Sequence, residues 1–182
     1  MEHRVIERVL RGIEEQCYQL ENAVGEDKED IVNFFTRAIS FLKEFSDDFH
    51  HHKEEQCLFP HLNEGFRGPV EMMHLEHNEG RELVKRMTSF VRDIEMEDDP
   101  EELEQLFKDL SESSFLYTDL LRRHIQKEDQ ILFPRVETFL SDDLKKEIAL
   151  RWSDLLNDEK IMSRVRGHVE WASNYEVLRA DD

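Results

Sequence analysis

Apolar side chains recur along most of the chain at steps of three and four residues, the spacing that places them on one face of an α-helix. Alternation of apolar and polar residues, the pattern of a half-buried strand, never persists. The first helical stripe is formed by Ile6, Leu10, Ile13, Cys17, Leu20 and Val24. The pattern therefore predicts an all-α protein.

Residues that end or begin helices separate the predicted elements. Gly25 marks the first break, Gly68 and Pro69 mark the second, and Asp99-Pro100 supplies a cap and a first-turn proline. The predicted helices cover residues 2–23, 29–62, 69–95, 100–134, 141–156 and 159–177. Because short connections between long helices favour antiparallel neighbours, we expect an up-down-up-down four-helix bundle with two shorter C-terminal helices packed on it.

The charge balance excludes two classes of partner. The chain has 182 residues, enough for one domain with its own core, and 24 Lys and Arg against 43 Asp and Glu give a net charge of −19. No cluster of basic residues is long enough to follow a phosphate backbone. We therefore expect neither nucleic acid nor an anionic membrane surface as a partner.

Cysteine use and the first residues predict a cytoplasmic protein. Cys17 and Cys57 are too few for a disulfide framework and lack metal-binding or redox spacing, so we expect reduced thiols. The opening stretch MEHRVIERVL has no apolar signal-peptide core. No run approaches the roughly 18 apolar residues of a spanning helix. These features leave the oligomeric state open.

A repeat divides the predicted bundle into two similar hairpins. The stretch HHHKEEQCLFP at 50–60 returns as HIQKEDQILFP at 124–134, an offset of 74 residues. The same offset relates His3 to His77. Each hairpin thus has a histidine near the start of its first helix and an H-x-x-x-E pair on its second. We expect the two hairpins to pack with approximate twofold symmetry.

The H-x-x-x-E spacing places an imidazole and a carboxylate one helical turn apart on the same face. Leu58 follows His50 by eight residues, and Leu121 and Leu132 flank His124, so this face is predicted to point inward. Six potential ligands should therefore converge inside the bundle. They are His3, His50, Glu54, His77, His124 and Glu128.

Two carboxylates buried among imidazoles need compensation, because an unpaired buried charge costs several kcal/mol. A pair of divalent cations removes this cost, with the two glutamates bridging metals about 3.5–4 Å apart. Nitrogen and oxygen donors with an open position suit iron and tolerate manganese or zinc. The predicted cofactor is therefore two iron ions, with Mn or Zn as alternatives.

Four segments resemble the signature motifs of the hemerythrin-like family, also called the HHE cation-binding domain. In order they are EHRVIERVL, HHHKEEQCLFP, EHNEGR and HIQKEDQILFP, and they fall within residues 1–136. The resemblance implies a carboxylate-bridged di-iron centre in a four-helix bundle over 1–136, with O2 or NO as the small ligand. Residues 137–182 are predicted to form a helical extension packed on this bundle.

The chain is more similar to one branch of that family than to the other. Oxygen-carrying hemerythrins use five histidines, one glutamate and one aspartate, with an H-x-x-x-x-D segment. This chain instead has His124-x-x-x-Glu128. The pattern resembles the branch with four histidines and two glutamates, which includes proteins implicated in repairing iron centres after nitrosative damage.

Three further candidate site residues each have two interpretations. His74, three residues before His77, is either another metal ligand or an outer, solvated residue. Gly80 either leaves room for a small ligand beside the second metal or allows close helix packing. Tyr117 either donates a hydrogen bond to a ligand at the metals or reaches a backbone carbonyl.

The remaining histidines are expected to face solvent or helix grooves. They are His51, His52, His61 and His168. Pairing His51 with Glu55 keeps the four-residue spacing but breaks the register with the second repeat, so we reject it. Asp47 either orients His3 or His77 or is solvated.

Three functions are open to such a centre. The first is binding or reacting with O2 or NO, in sensing, scavenging or stress response. The second is enzymatic reduction of peroxide or NO, and the third is iron storage, delivery or repair. We favour the first and leave open whether the chain is an enzyme, because no proton relay beyond Tyr117 is visible.

Overall fold

The computed structural model describes residues 2–21 and 27–177. Its helices are α1 (Glu2–Glu21), α2 (Lys28–Phe41), α3 (Arg67–Met96), α4 (Pro100–Lys127), α5 (Phe133–Phe139), α6 (Asp142–Leu156) and α7 (Glu159–Val177). No strand occurs in these ranges, which confirms the all-α prediction. The predicted break at Gly25 lies outside the described residues. No helix in the described ranges is both long and apolar enough to cross a membrane.

The long helices form a bundle in which α4 packs along α3 and α1, and α3 packs along α2. Its main core consists of apolar side chains with almost no exposed surface, including Ile6, Leu10, Ile13, Phe35, Phe41, Phe45, Met87, Ile94 and Leu110. A smaller apolar cluster contains Leu58, Phe59, Phe66, Met73, Leu132, Val136, Leu140 and Ile148. Phe49 and Leu121 of the main core precede the two H-x-x-x-E motifs, and Leu58 and Leu132 follow them. The motifs therefore lie between two apolar clusters.

The H-x-x-x-E motifs do not lie on uniform α-helix. After α2 the chain continues through π-helical segments at Leu42–His51 and Glu54–Leu58, and after α4 it continues through another at Glu128–Leu132. Wide turns of this kind are rare in helices and recur at functional sites. The prediction of uniform helices over 29–62 and 100–134 was wrong in this respect.

The Phe-Pro sequence that follows each motif is accompanied by a different backbone conformation in the two hairpins. Pro60 lies in a short 3-10 turn, Phe59–His61, after which the backbone becomes extended at Leu62. Pro134 lies in the first turn of α5, a position that tolerates proline, and α5 directly follows the π-helical segment Glu128–Leu132. The fourth predicted helix therefore continues past residue 134 to Phe139.

In the described part of the chain, the last helix, α7, packs mainly on the first hairpin, against α1 and the π-helical segment after α2. In the first hairpin Phe41 is fully buried, and its ring centroid lies 5.7 Å from His168 and 6.2 Å from Trp171. Its repeat mate Phe115 is 37% exposed. Around these two positions, Phe34, Ala38 and Phe45 of the first repeat correspond to Lys108, Glu112 and Asp119 of the second. Thus α7 covers an apolar surface whose second copy is charged, and His168 is buried in this contact.

The cap of α4 gives a test of the local structure. Asp99 accepts hydrogen bonds from the backbone N–H groups of Glu101 and Glu102 at 3.0 and 3.2 Å. Replacing it in Asp99→Ala leaves these groups without a cap and is expected to lower the free energy of unfolding by about 1 kcal/mol, measured by urea denaturation. The control is Asp98→Ala, since the Asp98 side chain is 99% exposed. Equal effects of the two substitutions would contradict the assignment of the cap.

Candidate metal centre

All six predicted ligand side chains meet at one level of the bundle, and all are buried. His3 comes from α1, His77 from α3 and His124 from α4, whereas His50 comes from the π-helical segment after α2. The histidines form two pairs with facing Nε2 atoms. These atoms are 3.0 Å apart in the His3 pair (His3 and His50) and 3.1 Å apart in the His77 pair (His77 and His124).

Two carboxylates lie between the histidine pairs. Glu54 has Oε1 at 3.6 Å from Nε2 of His50 and Oε2 at 3.6 Å from Nε2 of His77. Glu128 is placed in the same way. Its Oε2 lies 3.2 Å from Nε2 of His3, and its Oε1 lies 3.3 Å from Nε2 of His124. Each carboxylate thus offers one oxygen to each pair, which is the arrangement of a bridging ligand.

A second layer of carboxylates holds the outer nitrogen of each ring. The Nδ1–H groups of His3, His50, His77 and His124 donate to Asp129, Glu2, Glu55 and Glu76, respectively, at 2.7–2.9 Å. Lys53 and Lys127 in turn donate to Glu2 and Glu76. Metal-binding histidines usually donate their second N–H to a carboxylate in this way, which fixes the ring and its tautomer. The 74-residue repeat reproduces every one of these contacts.

The inner atoms of the site fit a cation. Because each of these rings donates through Nδ1, a neutral ring presents only a lone pair at Nε2. Both oxygens of Glu54 and both of Glu128 are buried and have no hydrogen-bond partner among the described residues. Lone pairs therefore face lone pairs across distances of 3.0–3.6 Å. Positive charge at this point satisfies all of them, so the donor set suits a metal centre.

The pKa values of Glu54 and His124 reflect the same lack of positive charge at the centre. Burial, together with the charge of Glu128, raises the pKa of Glu54 well above its usual value. Burial opposes protonation of His124, but its contacts with Glu128 and Glu76 raise its pKa to about 9. Without a metal, protons therefore supply part of the charge that the two glutamates require.

One histidine of the centre was missed by the sequence interpretation. His51, expected in solvent or a groove, is buried and stacks on the His77 ring with centroids 3.9 Å apart. His51 belongs to a group with Glu54, His77 and His124 in which one potential ligand atom from each residue lies within 4.8 Å of the others. The expectation was wrong. The repeat could have corrected it, because the residue that corresponds to His51 in the second hairpin is Ile125, which is apolar and buried.

The other candidate residues lie outside the ligand cluster. The His74 side chain is 44% exposed, and its Nδ1 lies 3.8 Å from Oε1 of Glu55. Gly80 and Tyr117 line a cavity of about 300 Å³ that reaches the His77 pair and His51. A Cβ atom on Gly80 would lie 3.6 Å from Cε2 of Tyr117, an ordinary contact, so close packing does not require glycine here.

A second cavity reaches the centre from the other side. It measures about 560 Å³ and is bordered by both residues of the His3 pair and by Glu54. Its outer wall includes Ile148 and Trp152 of α6. The C-terminal extension therefore forms part of one approach to the cluster, and the Gly80 and Tyr117 cavity forms another.

Comparison with known proteins agrees with this geometry. The iron-sulfur cluster repair protein YtfE of Salmonella schwarzengrund (strain CVM19633) is 31% identical to this chain over 116 residues. YtfE of Salmonella typhimurium (strain LT2) has the same identity over the same length. The alignments cover 62% of this chain and 51% of each relative, so the chain spans about half the length of these curated relatives. No solved structure gives a significant match.

The family comparison covers the part of the chain that holds the cluster. The family model described as the Hemerythrin HHE cation binding domain matches residues 1–136. This range includes both repeats, all four bundle helices and every His and Glu of the centre. The chain therefore belongs to the hemerythrin HHE cation-binding domain family.

Proposed function

We propose that the centre holds two iron ions and binds or reacts with O2 or NO, in sensing, scavenging or a stress response. The observation that carries the proposal is the position of Glu54 and Glu128, each with one oxygen towards each histidine pair. Carboxylates placed in this way suit two cations side by side. When bound, such a pair of irons supplies redox-active positions with room for a small ligand.

The proposed ligands are His3, His50, Glu54, His77, His124 and Glu128. Nitrogen and carboxylate donors suit iron and are also acceptable to manganese or zinc. His74 is better assigned outside this set, because its exposed ring lies beside Glu55 and not beside the inner carboxylates. There it shares Glu55 with His77 and supports the orientation of that ring.

The chain itself contributes orientation and exclusion of water. The outer carboxylates hold each imidazole with its Nε2 lone pair inward, and the two apolar clusters close the bundle on either side of the centre. The two cavities supply approaches for a small molecule. We propose that O2 or NO enters through the cavity beside Gly80 and Tyr117.

A second candidate function is repair, storage or delivery of iron. It is favoured by the relatives, which are named iron-sulfur cluster repair proteins. The chain spans only about half of their length, so their activity stays a proposal here. Reduction of peroxide or NO by the same centre is a third possibility, and the experiment below separates turnover from reversible binding.

We further propose a cytoplasmic location and a metal-binding unit at 1–136 with an extension at 137–182. The buried thiols of Cys17 and Cys57 support a reducing compartment. Val165 and Ala172 belong to the main core, which supports an extension packed on the bundle.

The response to gas tests the proposed function. Protein loaded anaerobically with Fe(II) and exposed to O2 is expected to change its absorption spectrum, because the iron positions are open to small ligands. Return of the reduced spectrum when the gas is removed indicates a carrier or sensor. One-way oxidation points to an enzyme or to NO and repair chemistry, and NO is the next ligand to apply.

The control for this experiment is the double variant His50→Ala and His124→Ala, which removes one histidine from each pair. It is expected to lose both iron and the optical response. A double variant that keeps two irons per chain and the full response would contradict the ligand assignment. A wild-type protein that loads with iron but responds to neither gas would contradict the proposed function.

Gly80 gives a separate test of the approach to the centre. In Gly80→Ala the new methyl group meets Tyr117 and Leu120 at 3.6 and 4.0 Å, without strain, and narrows the cavity. We expect the free energy of unfolding to rise by up to about 1 kcal/mol, from helix propensity, and ligand association to slow in stopped-flow mixing. The matched control is Gly167→Ala on α7, where the added Cβ meets nothing within 4 Å. Equal association rates in the two variants would rule out this cavity as the route.

A further inference from the structure

One histidine beside the centre has no counterpart in the other repeat. His51 occupies the position that Ile125 occupies in the second hairpin, and both side chains are buried. The Nε2 atom of His51 has no hydrogen-bond partner in the described part of the chain. His51 also belongs to a group with Glu54, His77 and His124 in which one potential ligand atom from each residue lies within 4.8 Å of the others. A histidine buried only for packing would leave this nitrogen unsatisfied, which costs free energy.

The hydrogen bond of His51 gives it the tautomer of a metal ligand. Its Nδ1–H donates to Oδ1 of Asp47 at 3.4 Å, which leaves the lone pair on the inward Nε2. Its ring stacks on His77 with the planes 12° apart, so binding of one metal by both residues requires the rings to tilt out of this stack. A histidine that donates through Nδ1 to a carboxylate and offers its Nε2 lone pair has the arrangement usual for a metal ligand.

An arginine fixes the carboxylate behind His51. Nε of Arg81 donates to both oxygens of Asp47 at 2.9 Å, and its Nη2 donates to Glu55 at 2.9 Å. Glu55 in turn accepts the Nδ1–H of His77 at 2.7 Å. One guanidinium group therefore orients the outer carboxylates of two neighbouring imidazoles.

This supporting set occurs on one side of the centre only. The repeat places Leu121, Ile125 and Glu7 opposite Asp47, His51 and Arg81. Leu121 and Ile125 are buried and apolar, so neither offers the His3 pair a third nitrogen or a carboxylate to orient one. The outer carboxylates of the four repeated histidines, in contrast, are all duplicated. Among the residues that hold the imidazole rings of the centre, the departure from symmetry is thus His51 together with Asp47 and Arg81.

We infer that His51 is a ligand to the metal at the His77 pair, so that this metal has three histidines and the metal at the His3 pair has two. The inference rests on the proposal that the centre holds two metals. It goes beyond that proposal because the two metals become chemically different. The fifth histidine comes from the first H-x-x-x-E segment and not from His74.

The test uses two substitutions that copy the second repeat. His51→Ile introduces the residue found at Ile125, and the control His52→Gln introduces the residue found at Gln126 on an exposed position. Each full-length chain is loaded anaerobically with Fe(II), and iron affinity is measured by chelator competition. We expect His51→Ile to lower the affinity for one of two irons by at least about 10-fold and His52→Gln to leave both unchanged.

Mössbauer spectra of the same samples distinguish the metals directly. We expect two doublets of equal area in the wild type and in His52→Gln, and loss of one of them in His51→Ile. If His51→Ile does not fold, Asp47→Asn replaces it, with an expected loss of about 10- to 100-fold in affinity for the same iron. Two irons with unchanged affinities and spectra in these variants, or two equivalent irons in the wild type, would overturn the inference alone. A wild type that binds fewer than two irons would overturn the two-metal proposal itself.

Discussion

Burial of two carboxylates side by side is the constraint on which the rest of the structure depends. Glu54 and Glu128 are nearly inaccessible to solvent, and the lysines closest to them in sequence, Lys53 and Lys127, bind outer carboxylates such as Glu2 instead. Those outer carboxylates also hold the histidines with their lone pairs inward. The protein thus directs its own positive charge away from the centre, and a metal supplies what is missing there.

The repeat accounts for the residues that the two halves of the centre share. Departures from the repeat account for the differences between the two sides of the centre. The residues that hold the rings and bridge the pairs all recur with the 74-residue offset, so each hairpin contributes half of the site. Some positions that break the repeat face α7, as around Phe41, and others support the extra histidine, as with Asp47 and Arg81. A site built on two similar halves therefore gains two distinguishable sides without a change of fold.

The sequence was sufficient to predict the helical fold and the meeting of the six His and Glu side chains. The four-residue spacing of each His–Glu pair puts both groups on one helix face, the flanking apolar residues indicate that this face points inward, and the repeat relates the two halves. The π-helical segment Leu42–His51 could not be predicted, since the same spacing also fits regular α-helix. His51 was assigned to solvent or a groove because it is polar. Its repeat mate Ile125 is apolar and buried, which indicates that His51 also occupies a buried position. The packing of Trp171 against Phe41 is a contact between distant parts of the chain, and the spacing of apolar residues along a helix does not encode such contacts.

The central claim is that two metals lie between the two histidine pairs, bridged by Glu54 and Glu128. The most direct measurement is anomalous X-ray diffraction at the iron edge from crystals of protein loaded anaerobically with Fe(II). The account predicts two peaks about 3.5–4 Å apart, one beside each histidine pair and both within reach of the two glutamates. A single peak, or peaks only at the acidic surface, would contradict it.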